Sequence, residues 1–506
     1  MLDVLIVGAG PTGLVLALWL HRQAVRVRII DKASGPGTAS RALAVHARTL
    51  EFYAMLGIAD EVVAAGRKFG AVNYWAGRRH AARAVFGDIG KGLSPFPFVL
   101  IYPQDEHERL LLSRLQALRV PVEYRTELVG FDQGAGSVTA ELRGPGGEET
   151  AEARFLCGCD GAHSIIREQI GIEFPGGSYS ELFYVADVVS AGPAANGELH
   201  VIMGARRFDA AFPMKGDGHV RLVGLVPRRL RGKPGLRFED CAAYIKRNVP
   251  MSISGANWFS TYHVHHRVAE SFRRGRVFLL GDAGHIHSPA GGQGMNTGIG
   301  DAVNLAWKLA DVVKGHASPA LLDSYEDERI GFARTLVETT DRVFTTAVSK
   351  GIVARVLRLW LVPLLFRPAL RFASVRRRIF RMLSQIAITY RGVQPNQGRA
   401  GRVEAGDRLP WVADDWLGNF APLKGLSWQL HIYGTASEEL RRFCAERTLF
   451  LYQRDWGEDC GAAGLQRDGV YLVRPDGHVG FASASQDTGA LRRFWDTCHV
   501  SVFATA

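Results

Sequence analysis

The chain opens on a short apolar segment, Asp3 to Val7, that runs directly into Gly8-Ala9-Gly10-Pro11-Thr12-Gly13. A helical pattern follows through Leu14, Leu16, Ala17, Leu18 and Leu20, and a second apolar segment, Val25 to Ile30, ends at Asp31. Strand, G-x-G-x-x-G, helix, strand and acid in about thirty residues form the layout of a dinucleotide cradle. Each part has a cause. Gly8 permits the tight turn, Gly10 lets a pyrophosphate approach the backbone, and Gly13 lets helix and sheet pack closely. The helix N-terminus that begins at Pro11 and Thr12 offers its free N–H groups, from Thr12 on, and its positive dipole to phosphates. Asp31, with Lys32 beside it, is placed to contact an adenosine ribose. This motif does not by itself choose between FAD and NAD.

Two later motifs make the choice. Phe155 to Cys159 reads as a strand ending at the turn Asp160-Gly161, followed by a helix capped by Ser164 and carrying Arg167. Val277 to Leu280 reads as a buried strand ending at Gly281-Asp282. The chain then passes through Pro289, Gly291, Gly292, Gln293, Gly294, Met295 and Asn296 into a long helical pattern. An acid at a strand end can bind a ribityl hydroxyl. A helix N-terminus free of bulky side chains can stabilise negative charge on a reduced isoalloxazine ring.

In this order the three motifs resemble those of the para-hydroxybenzoate hydroxylase-like (class A) FAD-dependent aromatic monooxygenases, in particular the phenol and polyketide hydroxylases with a thioredoxin-like C-terminal domain. Ser40-Arg41-Ala42 and Tyr102-Pro103-Gln104 resemble further segments of that family, and the likeness covers residues 1 to 345. It implies FAD, tightly and non-covalently bound, contacted by Gly8, Gly10, Pro11, Thr12, Gly13, Asp31, Lys32, Arg41, Gln104, Asp160, Gly281, Asp282 and Gly292. It further implies that Pro289 lies against the flavin near its reactive edge and that Gly294, Met295 and Asn296 meet the pyrimidine side of the ring. No second G-x-G-x-x-G is visible, so NAD(P)H is expected to dock transiently at a site that includes Asp160. In the family, reduced flavin then reacts with O2 to a C4a-hydroperoxide, whose distal oxygen passes to an electron-rich carbon. The cofactor carries the chemistry, and the protein supplies positioning, water exclusion and electrostatics.

The implied architecture is α/β. A Rossmann-type FAD-binding domain is assembled from residues 1–70, 98–174 and 276–345. A mostly antiparallel substrate sheet is interleaved at 71–97 and 175–275, with Trp75, Phe208, Phe212 and Pro213 as candidate pocket residues suited to flat aromatic ligands. Residues 346–404 read as a basic helical connector, and 405–506 as the thioredoxin-like domain. Val473-Arg474-Pro475-Asp476-Gly477-His478-Val479 resembles the end of that domain, which here lacks C-x-x-C and is expected to act structurally or to form a homodimer.

The net charge of +11 is concentrated between Asp341 and Glu404, where no acid occurs and the positives run from Arg342 to Arg402. Those arginines alternate with Leu, Val, Phe and Trp at helical spacing, as a solvated helix face does and a nucleic-acid tail does not, while contact of that face with an acidic membrane surface or partner stays open. The apolar run around Pro363 is too short to span a membrane. The apolar N-terminus carries Asp3 and no basic leader, unlike a signal peptide. The six cysteines include only a C-x-C, Cys157 to Cys159, so free thiols in a reducing cytoplasm are expected. His263, His265, His266, His285 and His287 have no carboxylate or thiol at ligand spacing, so no metal is expected. The family resemblance implies a small aromatic or polycyclic molecule as the partner. Hydroxylation leads, while Baeyer–Villiger insertion, oxidative decarboxylation or inactivation of a polycycle, and a non-catalytic FAD-binding role, stay open.

Overall fold

The structure is a computed structural model that describes residues 1–37, 42–87, 89–204, 207–288, 290–348 and 372–498. Its first sheet is built around Leu2–Val7, which pairs in parallel with Val27–Asp31 on one side and Gly147–Gly158 on the other. Val277–Leu279 and Val122–Tyr124 extend the parallel core outward. Parallel strands are covered on both faces, which is why these segments are apolar without alternation. Val4, Leu5 and Ile6 are buried accordingly. The helices Pro11–Arg22 and Gly294–Val313 pack together on this sheet, so the glycine turns that open them share one end of it.

The second sheet has eight strands in the order His285–Ile286, Ser252–Val268, Gly176–Ala191, His219–Leu225, Phe208–Pro213, Leu199–Met203, Ala71–Ala76 and Arg79–Val85. Its pairings are antiparallel apart from Leu199–Met203 with Ala71–Ala76. One face is closed by the helix Phe238–Asn248, whose Cys241 and Ile245 join Tyr184, Leu222 and Trp75 in a buried cluster. On the other face Phe212, Val72 and Leu199 pack with Leu43 and Ile101, next to the Rossmann-type unit.

The third sheet is mixed. Gln429–Tyr433 and Phe450–Arg454 run parallel through the helix Glu438–Glu446, and the hairpin Val470–Val473 with Val479–Ser483 closes it before the helix Thr488–Cys498. This is a thioredoxin-like order, as expected. Gln397–Ala400 and then Val403–Glu404 extend the sheet beyond Val479–Ser483 on one side, so it begins upstream of the boundary read at 405. Residues 349–371 of the expected helical connector lie outside the described residues. Beyond them it is helical at Ala373–Leu383 and then enters the sheet. Among the described residues no helix is long and apolar enough to cross a membrane, and all six cysteines are free.

The core also encloses neutral imidazoles. Burial lowers His46 and His478 to about 4, and His107 and His431 to about 3. The unfolded chain binds protons near 6.5 that these folded sites refuse, so stability present above that pH is lost as the pH falls from about 6.5 toward 3. Each imidazole contributes a slope of up to about 1.4 kcal/mol per pH unit. Melting temperatures are therefore expected to drop steeply between pH 6.5 and 4; a flat profile there would contradict the burial.

Candidate functional site

The three glycines of the first turn meet different surroundings. At Gly8, with φ +105°, a Cβ would stand 2.2 Å from the Cys159 carbonyl oxygen, and at Gly13 it would stand 2.0 Å from the Gly8 oxygen. At Gly10 a Cβ would meet nothing within 4 Å. Two glycines are thus consumed by the fold, while the third keeps open a hollow at the start of a helix that has Pro11 in its first turn and no side-chain cap. Asp31 ends its strand with Oδ2 accepting from Ala9 N at 2.7 Å and Oδ1 from Ala33 N at 2.8 Å, which fixes it at the rim of this hollow. Lys32 is exposed beside it. Thr12 joins the turn to the later motif: a Cβ on Gly298 would stand 2.4 Å from its Oγ1, and one on Gly281 2.8 Å.

Asp160 and Asp282 sit on neighbouring turns. Asp160 Oδ2 accepts from Ile166 N at 3.3 Å, whereas Oδ1 is buried with no partner among the described residues. Burial raises this carboxyl above its ordinary value. Arg167, expected to support the turn, does more. Its Nη1 donates to the Ala283 carbonyl at 2.9 Å and its Nη2 to Ala162 at 3.0 Å, which ties the two Asp-Gly turns together. Gly281 adopts φ +59°, and its N–H donates to Asp301 Oδ2 at 3.0 Å, leaving the Asp282 side chain exposed. His285 donates to the same oxygen at 2.6 Å. Neither bridge shows in the sequence, because Asp301 lies within an apolar helix.

The long helix starts at Gly294 after a turn in which Gly291 and Gly292 take φ +80° and +64°. Gly294 has no side chain to cover the helix end, and Met295 is half-buried. The His287 Nε2, buried without a partner among the described residues, lies 3.7 Å from where a Cβ on Gly294 would stand. The side chain of Asn296 is engaged within the protein. Its Nδ2 donates to the Ala44 and Gly292 carbonyls at 2.9 Å each, and its Oδ1 accepts from His46 N at 2.9 Å and Thr49 Oγ1 at 2.7 Å. That side chain is a staple between the helix and the segment 44–49. His46 Nε2 donates to the Gly291 carbonyl at 3.0 Å from the other side. Gln104 Oε1 accepts from Ala42 N at 3.1 Å, and its amide donates to Glu108, which receives Gly37 N. Gln104 thereby holds both flanks of residues 38–41; Arg41 and Pro289 lie outside the described residues.

The four aromatic and proline candidates do not share a face. Alternation along Phe208–Pro213 puts Phe212 with Leu43 and Ile101, and Phe208 with Tyr74 and Met203, on the side turned to the Rossmann-type unit. Trp75 lies on the opposite face, 7% exposed, with its Nε1 donating to His200 at 3.0 Å in the cluster closed by Phe238–Asn248. Pro213 pairs with Val220, which belongs to that same cluster. Trp75 and Pro213 are therefore core residues and leave the pocket set. Among the described residues no group of His, Cys, Asp or Glu is arranged to hold a metal. His163, His263, His266 and Arg267 instead gather around His265 by the Asp160 turn, which the separate histidine positions did not disclose; burial first, and then these neighbours, lower the His265 imidazole below its ordinary value.

The hollow at Gly10, the bare helix end at Gly294 and the unpartnered Asp160 and His287 atoms fit a dinucleotide with a flat ring system. The comparisons agree. A family model described as an FAD binding domain matches residues 1–340. The 6-methylpretetramide 4-monooxygenase of Streptomyces rimosus is 38% identical over 96% of this chain and 91% of its own length. The 12-dehydrotetracycline 5-monooxygenase/anhydrotetracycline 6-monooxygenase of Streptomyces rimosus subsp. rimosus is 32% identical over 97% of this chain and 98% of that protein. Among solved structures, the anhydrotetracycline hydroxylase OxyS from Streptomyces rimosus aligns with TM-score 0.78 at 29% identity, covering 98% of this chain and 99% of that one.

Proposed function

Because the chain belongs to the FAD-binding-domain family of flavoprotein monooxygenases, which act with NAD(P)H and O2 on aromatic and polycyclic substrates, we propose that its substrate is a fused-ring phenolic polyketide of tetracycline-like size. The observation that carries this is the 38% identity, over nearly the whole chain, to a monooxygenase named for such a molecule. The relatives do not favour Baeyer–Villiger or decarboxylative outcomes, and the family is enzymatic, which removes the non-catalytic reading.

Bound FAD supplies hydride acceptance and oxygen activation. The chain's own residues then have distinct tasks. Gly10 and the first N–H groups of the helix Pro11–Arg22 would take the pyrophosphate, Asp31 the adenosine ribose and Asp282 the ribityl chain. The N-terminus of Gly294–Val313 would direct its positive dipole at the pyrimidine side of the ring, where negative charge develops on reduction. The cluster of His163, His265 and Arg267 by Asp160 suits the phosphates of a docking NAD(P)H. Phe208 and Phe212, on the sheet face turned to the site, would stack on a flat substrate and exclude water.

The test is NAD(P)H consumption with product mass spectrometry on a panel of phenols and fused-ring polyketides. One polycycle is expected to accelerate consumption and gain one oxygen; a panel in which only simple phenols gain oxygen would overturn the substrate assignment. Asp282→Ala is expected to purify largely as colourless apoprotein, and retention of full yellow FAD would sink the role given to Asp282.

A further inference from the structure

Thr297, in the first turn of the helix Gly294–Val313, is gripped by residues from outside the Rossmann-type unit. Gln385 Nε2 donates to Thr297 Oγ1 at 2.9 Å, and that hydroxyl donates to the Gln293 carbonyl at 3.0 Å. Gln385 is 5% exposed and takes φ +61°, a left-handed conformation that costs a non-glycine residue about 1 kcal/mol. The preceding carbonyl, Ser384 O, accepts from Arg48 N at 3.1 Å. One corner of chain therefore meets the starts of two helices, Ala47–Leu56 and Gly294–Val313, that border the Gly291–Gly292 turn.

A second grip reaches the same turn of helix. Tyr390 OH accepts from Arg329 Nη1 at 2.9 Å, Arg329 Nη2 donates to the Thr297 carbonyl at 3.1 Å, and Arg329 Nε donates to Asp301 Oδ1 at 2.7 Å. The other oxygen of Asp301 holds Gly281 N at 3.0 Å. Tyr390, Arg329 and Asp301 are 4%, 1% and 1% exposed, so this relay runs without solvent screening. It ends on the backbone that presents Asp282.

Gln385 and Tyr390 lie beyond residue 340, where the family match ends. We propose that they are positioning residues for the flavin. On this account Gln385 and Tyr390 hold the first turn of Gly294–Val313 and the Gly281–Asp282 turn in register with each other. The segment leading into the C-terminal sheet thereby completes the cofactor site. The inference rests on assigning that helix N-terminus to the flavin ring.

The test uses the full-length chain carrying Tyr390→Phe, Gln385→Leu or Gln385→Glu. Circular dichroism is expected to be unchanged for Tyr390→Phe, which removes one oxygen and keeps the ring contact with His478. The FAD dissociation constant should rise about tenfold in Tyr390→Phe and in Gln385→Leu, the loss expected for one buried hydrogen bond in each case. Gln385→Glu should also shift the flavin midpoint potential to more negative values, because a carboxylate at the helix start opposes the dipole; packing alone would not move the potential in that sense. Unchanged FAD affinity in Tyr390→Phe and an unchanged potential in Gln385→Glu would overturn the inference, and if Gln385→Leu fails to fold, Tyr390→Phe decides. Asp282→Ala separates the two levels. Its retention of FAD would sink the site assignment, whereas its loss of FAD beside unaffected Gln385 and Tyr390 variants would sink only the role of those two residues.

Discussion

Valine at position 10 is expected to leave the apoprotein as stable as the unmodified chain and to weaken FAD binding by about 100-fold or more. Gly10 has φ −72° and ψ −179°, a conformation open to any L-residue, and a Cβ there meets no atom within 4 Å. Neither strain nor internal packing therefore requires glycine. On the proposed assignment, glycine keeps the space a pyrophosphate needs against the backbone, so the substitution would fill the ligand's place and nothing else. Alanine at Gly13 should behave in the opposite way. Its Cβ would press to 2.0 Å from the Gly8 oxygen, and the chain should fail to fold whether or not FAD is supplied. Thermal melts of the apoproteins with FAD titration monitored by flavin fluorescence separate the two cases. A yellow, fully loaded Gly10→Val protein would contradict the cradle.

The second large effect is expected at Glu328, beside Arg329. Its carboxylate has no exposed side-chain surface. It receives Lys308 Nζ at 2.8 Å from the long helix and Arg474 Nη2 at 3.0 Å from the C-terminal sheet, along with Asn304. Burial pushes this carboxyl up, but Arg474 and Lys308 outweigh it and hold it at about 2. Burial lowers Lys308 to about 8 despite Glu328. Glu328→Ala strands the buried Lys308 cation and leaves Arg474 with Asp476 alone, and a broken buried pair of this kind costs about 3–5 kcal/mol. A denaturant midpoint unchanged by Glu328→Ala would mean that water reaches Lys308 and Arg474. The linkage sign is definite for the carboxylate: its contribution is present above about 4.5 and is lost as the pH falls through about 2.

Much of this molecule was legible in its residues. Strand, turn and helix around Gly8–Gly13 are local, because each glycine, the apolar helix stripe and Asp31 act within one supersecondary unit. The Asp160-Gly161 and Gly281-Asp282 turns were equally local, and together they distinguished FAD from NAD. Side-chain direction across a sheet was less readable. Trp75 and Phe212 are both aromatics on strands of one sheet, and only register decides that one packs under Phe238–Asn248 and the other faces the Rossmann-type unit. Asn296 sits where a ring contact was expected, and three of its side chain's four hydrogen bonds are spent on partners some 250 positions away in the chain.

The sequence by itself determined that the chain builds a flavin cradle, since that information lies in spacing: glycines at a strand end, an acid after the next strand, a bare helix start. Tertiary structure alone decided which atoms stand where side chains on Gly8 and Gly13 would go, the Cys159 and Gly8 carbonyls. It also decided that Arg167 bridges two motifs, and that Gln385, Tyr390 and Arg474 from beyond the matched family region reach the helices of the site. The physical reason is the same in each case. These properties depend on atoms brought within about 3 Å by packing, and neighbours of that kind leave no period or spacing along the chain from which they could be read.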